Sequence, residues 1–170
     1  MMLNSKIRIK AFSLIELLIV IVVVAIMSLV AIPSWQEMIS ENHAHAYANE
    51  LIMALQLARA TAIKSGKPVR FCGSKHHKKC EASWENGSII VISNKVLRVI
   101  PPVFAGDKLN CNHNSGITFS PNGFTSGQQE SFYYCPKNFP KNARAVILSA
   151  TGRARISKTT PDNERIPCNF

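Results

Sequence analysis

The chain has 170 residues, enough for one ordinary domain with an appendage, and its formal net charge is +10. Its only aspartates are Asp107 and Asp162, which argues against a catalytic carboxylate pair. No nucleophile elbow, glycine-rich phosphate loop or H-E-x-x-H motif occurs, so neither an enzyme nor a cofactor is expected.

Lys6, Arg8 and Lys10 precede an apolar run from Leu17 to Ile32. With Phe12 to Ile15 ahead of it, the run comes to about 20 residues, the length of one bilayer span. Basic residues ahead of a span keep the N-terminus cytoplasmic and send the rest across. The same layout also fits an ordinary cleaved signal peptide. One carboxylate, Glu16, stands within this segment. A charge in mid-membrane costs roughly 2.5–3.5 kcal/mol on insertion scales, so one retained there is expected to have a partner.

Ser34 to Ser65 reads as helix, because it is rich in Ala, Leu, Met, Gln and Glu and lacks internal Pro or Gly. Tyr47, Leu51, Ala54, Leu55, Ala58 and Ala62 recur at three- and four-residue steps and form one apolar stripe. Gly66 and then Pro68 end the helix. Pro33, between the two helical halves, is expected to break or kink it. His43 and His45 stand two apart, hence on different faces, and read as surface residues.

After Gly66 the texture becomes short β-branched runs. Strands are expected at 68–72, 88–93, 96–100, 116–120, 131–135, 144–149 and 153–157. Asn94-Lys95 is expected as a hairpin turn, and Pro121-Asn122-Gly123 and Ala150-Thr151-Gly152 as further turns. Pro101 to Ser115 reads as a loop. The predicted class is α+β, one long helix packed on antiparallel sheet.

The five cysteines suit an oxidising compartment, with two bridges and one thiol left over. Cys72 and Cys80 enclose His76 and His77, but the spacing matches no standard zinc finger, and a local disulfide is the expectation. Cys135 is expected to pair with Cys168 or with Cys111.

From Lys67 to Phe170 there are fifteen Lys or Arg against six Asp or Glu, a net of +9. Such an exported domain suits a polyanion or an acidic neighbouring subunit. Within "TGRARIS", alternation along a strand puts Arg153 and Arg155 on one face about 6.6 Å apart, with Ala154 and Ile156 toward the core. Gly152 permits the turn and would let a phosphate backbone come close. Two guanidinium forks suit adjacent phosphate oxygens. Lys158, Arg165, Arg144 and Lys141 are candidates to extend the patch. "KHHKK" supplies Lys75, Lys78 and Lys79 as a second cluster. A solvated strand face is the competing reading. No base-reading helix is apparent, so any binding would be electrostatic and tolerant of sequence.

"AFSLIELLIVIVVVAI" resembles the N-terminal signature of type IV pilins and pseudopilins. The resemblance implies the type IV pilin fold and residence in the bacterial inner membrane, domain outward, before assembly with other pilin subunits at the cell surface. It implies cleavage by a prepilin peptidase between Ala11 and Phe12, where the family usually has Gly in place of Ala11, and methylation of the new N-terminus. Glu16 would then pair with the N-terminal ammonium of a neighbouring subunit. The implied organisation is a leader at 1–11, a membrane and filament-core helix at 12–33, an amphipathic helix at 34–66 and a β-rich domain at 67–170. The cysteine pair, "TFSPNGF" and "ILSATGRARIS" are similar to the FimT/GspH group of minor pilins. FimT proteins bind DNA during natural transformation, which implies double-stranded DNA as a partner. A GspH-like subunit would be structural only.

Overall fold

A computed structural model of the chain describes residues 13–112, 116–125 and 127–169. Among the described residues, helix α1 (Leu14–Ser65) is followed by eight strands. Contacts divide the chain into two units, one ending at Met38 and the other running from Ile39 to Phe170.

In the first unit α1 is apolar and exposed from Leu17 through Met27, and it is long and apolar enough to cross a membrane. Glu16 lies in its first turn, exposed, with its amide bonded to the Ser13 carbonyl. The cleavage junction of Ala11 and Phe12 lies outside the described residues. Of the break or kink expected at Pro33, the break does not occur, and α1 runs on through it. Its ring removes one backbone hydrogen bond, yet continuous helix on either side leaves the remaining bonds with no better partners.

The second unit begins with the rest of α1, whose stripe of Tyr47, Leu51, Ala54, Leu55, Ala58 and Ala62 is buried throughout. Gly66 takes a left-handed φ of 63° and ends the helix. Two antiparallel sheets follow. The first has the order β3-β2-β1-β5 and comprises β1 (Val69–Gly73), β2 (Ser88–Ile92), β3 (Lys95–Ile100) and β5 (Ile117–Phe119). The second has the order β4-β6-β7-β8 and comprises β4 (Lys108–Cys111), β6 (Glu130–Cys135), β7 (Arg144–Leu148) and β8 (Ala154–Ser157).

Two local expectations need correction. The β2–β3 turn is Ser93-Asn94, both at positive φ, one residue earlier than expected. That geometry is the two-residue turn whose twist matches the strands. The segment 101–115 also contains a strand, β4, which pairs along β6 from Lys108↔Cys135 to Cys111↔Phe132. "KLNC" carries a single large apolar residue, so its pairing comes from its tertiary neighbour.

Both sheets lean on the helix stripe. Phe71, Phe119, Phe132, Tyr134, Val146 and Leu148 join it in one buried cluster, with Tyr47 stacked on Tyr134 at 5.1 Å. Burial, and then the hydrogen bond to Asp107, push the Tyr134 phenol pKa up; burial does the same for Tyr47. A second cluster joins Tyr133 and Ala145 of the sheet to Ile166 of the C-terminal tail. Disulfides join Cys72 to Cys80 and Cys135 to Cys168. Cys111 is buried and belongs to neither.

Candidate nucleic-acid interface

Strand β8 closes the second sheet, pairing among the described residues only with β7. In its register Leu148 meets Ala154, Ile147 meets Arg155 and Val146 meets Ile156. Alternation therefore sends Ala154 and Ile156 toward the main core, where both pack, and leaves Arg155 on the other face. Arg153, just before the strand, is exposed, as are Arg155 and Lys158. The Ser149 hydroxyl fixes this turn by donating to the Arg153 carbonyl and accepting its amide. Ile147, Ser149, Arg153, Ala154 and Arg155 line a depression beside this turn. Among the described residues, no carboxylate pairs with Arg153, Arg155 or Lys158.

Gly152 is needed here for a reason other than ligand access. It is buried at φ 76°, and a Cβ on it would come within 2.2 Å of the Gly123 carbonyl oxygen. The space its missing side chain leaves is filled by the turn of "SPNGF", not offered to a phosphate backbone. Arg59 of α1 caps the same junction, its Nε donating to the Gly123 carbonyl at 3.1 Å. The Thr125 amide and hydroxyl both donate to the Ala150 carbonyl, at 3.0 and 3.1 Å. Two turns distant in sequence are thus sewn together beside Arg153. Arg59 escaped the sequence reading because it flanks the apolar stripe at Ala58 without interrupting it.

Arg144 leaves the patch. It is 2% exposed, and its guanidinium donates to Glu41 at 2.7 Å, to the Ala143 carbonyl at 2.9 Å and to the Asn142 carbonyl at 3.2 Å. His45 Nε2 lies 2.9 Å from the same guanidinium; arginine has only donors, so this nitrogen accepts. His45 is therefore more than a surface residue, and so is His43, whose ring stacks on Phe104 at 3.8 Å. The signal for Arg144 was available in its parity. It shares a face with Val146 and Leu148, the core face, and Glu41 and His45 stand one helical turn apart.

The remaining cations are dispersed. Lys75, Lys78 and Lys79 are exposed on the disulfide-closed loop after β1, in the first sheet. Glu81 organises that loop, accepting the Lys75 amide at 2.7 Å and facing His76 at 3.4 Å. Chiefly through the Lys75 amide, its carboxyl pKa is held below the ordinary glutamate value. Arg165 is exposed on the tail, which bridges to Thr159, and Lys141 is exposed in the short 3-10 helix Pro140–Asn142. Arg153 and Arg155 thus line one depression, with Lys158 exposed just past the end of β8 and Arg59 against the turn before it.

The family described as type II transport protein GspH matches residues 47–152. A prokaryotic N-terminal methylation motif matches residues 7–32. No curated protein matches the chain. Among solved structures, the type IV minor pilin FimU of Pseudomonas aeruginosa is similar in fold, at a TM-score of 0.58 and 22% identity over 68% of this chain and 89% of that one. The minor pseudopilin EpsH of the Vibrio cholerae type 2 secretion system is similar at 0.51 and 13% identity, over 68% and 96% respectively.

Proposed function

Since the chain belongs to the GspH family, and so to the minor pilins and pseudopilins, we propose that it is a type IV minor pilin that captures DNA for uptake in natural transformation. The observation that carries this reading is the edge strand β8, where Arg153, Arg155 and Lys158 are exposed with no carboxylate partner among the described residues. Guanidinium forks on such an edge grip phosphates without reading bases, so affinity is electrostatic and tolerant of sequence. Lys75, Lys78, Lys79, Lys141 and Arg165 add to the general field.

The test uses the full chain in nonionic detergent. Replacing Arg153 and Arg155 by Gln lowers affinity for every duplex sequence and makes the log affinity versus log salt slope shallower by about 1.8. Lysine at both positions rescues only partly, because charge returns without the fork. Equal binding by wild type and the double Gln variant would leave a structural subunit only. That second reading has its own support, since Gly152 of the motif is spent on packing.

Assembly with other pilin subunits, cleavage by prepilin peptidase at Ala11-Phe12 and anchorage in the inner membrane until assembly belong to the same proposal. Glu16 then meets a neighbour's N-terminal ammonium, and its charge is matched only in the filament. Accordingly Glu16→Ala leaves membrane insertion intact and depletes the protein from sheared pili. Normal recovery of the variant in pili would refute the pairing.

A further inference from the structure

One aromatic side chain near the arginine edge has no part in the core. Phe124 is 48% exposed, and no ring contact engages it among the described residues. Its backbone is nevertheless firmly held. Its amide donates to Asn122 Oδ1 at 3.0 Å, and its carbonyl accepts the Ser120 amide at 2.8 Å. On one side Gly123 closes on Gly152 and Arg59, and on the other Thr125, fully buried, is bonded to Ala150. Both neighbours of Phe124 are therefore tied to the turn that delivers Arg153. The backbone that carries this exposed phenyl ring is thus fixed against the turn that leads into Arg153.

We propose that this edge grips unpaired nucleotides, with Phe124 as the platform for a base and Arg153 and Arg155 as the holders of adjacent phosphates. The preferred substrate is then single-stranded DNA, or the unpaired end of a duplex. The proposal rests on the DNA reading above and deepens it. In a closed duplex every base is stacked on its neighbours and offers only its edges, so the ring gains nothing there. An unpaired base of any identity has a free π-face, which makes the contact strong and tolerant of sequence. Ile147, directly across from Arg155 and lining the same depression, offers an apolar surface that suits a base or sugar better than a lone phosphate.

Fluorescence anisotropy on the full chain in nonionic detergent, at fixed salt, decides the matter. The probes are a labelled oligothymidylate and a dumbbell duplex without free ends. Phe124→Ala and Phe124→Leu weaken oligothymidylate binding roughly five- to one-hundredfold and leave the dumbbell within about twofold. Phe124→Trp keeps the single-strand affinity. An unchanged thermal transition in each variant shows that the fold survives, as a half-exposed side chain predicts. Wild-type oligothymidylate affinity in Phe124→Ala, or full rescue by Leu, would overturn the platform. If Arg153→Gln with Arg155→Gln still weakens dumbbell binding in that case, the DNA reading stands without it. Wild type that binds neither probe would overturn both.

Discussion

Arg144 and Arg155 lie on adjacent, paired strands of one sheet and have opposite fates. Arg144 opens the inner strand β7 on the face of Val146 and Leu148, and is enclosed by Glu41, His45 and two backbone carbonyls. Arg155 stands on the edge strand β8, across from Ile147, and is exposed. Composition weighs the two alike, as one positive charge each. Parity and strand position divide them into a cation that holds the domain together and a cation that stays exposed. A net charge therefore overstates the surface available to a polyanion.

Substitutions can break this comparison. The largest effect on stability is expected for Arg144→Ala, which strands two carbonyls and the Glu41 carboxylate. Loss of one partner from a buried pair typically costs about 3–5 kcal/mol. Because the Glu41 side chain is 45% exposed and keeps its hydration, about 2–3 kcal/mol is expected here, read from chemical denaturation. A change under about half a kcal/mol would show that Arg144 is no better placed than Arg155.

Gly152→Ala comes next. The new methyl group meets the Gly123 carbonyl and the backbone sits at positive φ, so a loss of about 2 kcal/mol is expected in the same assay. A neutral result would mean that the two turns separate easily and that Arg153 is not held as described. The smallest change belongs to the double Gln variant at Arg153 and Arg155. Its stability stays within about 0.5 kcal/mol of wild type, since both side chains are exposed. A larger loss would move these arginines into the structural class with Arg144.

Much of the fold was legible because periodicity is a local property. The α1 stripe announced itself in three- and four-residue steps, and seven of the strands in β-branched runs bounded by turn residues. β4 was not legible, since "KLNC" becomes a strand only when "FYYC" of β6 lies beside it. The division into two sheets was equally hidden, because alternation reports which face is buried and not which strand is the neighbour. The outward face of Arg155 could be read from strand parity alone. Parity also marked Arg144 for the core face, but Arg59 and the filled space at Gly152 could not be read, for each depends on a contact across many residues.

The Cys135–Cys168 disulfide has a mechanical consequence for the arginine edge. The bond closes a covalent ring that contains β7 and β8 entire, from the end of β6 to the tail. A strand at a sheet edge ordinarily peels away from its free terminus, one hydrogen bond at a time. Here the chain beyond β8 is bolted back to an inner strand, so tension applied at Arg155 reaches β6 by two routes, through β7 and through the sulfur bridge. The edge therefore offers no loose end from which to unzip.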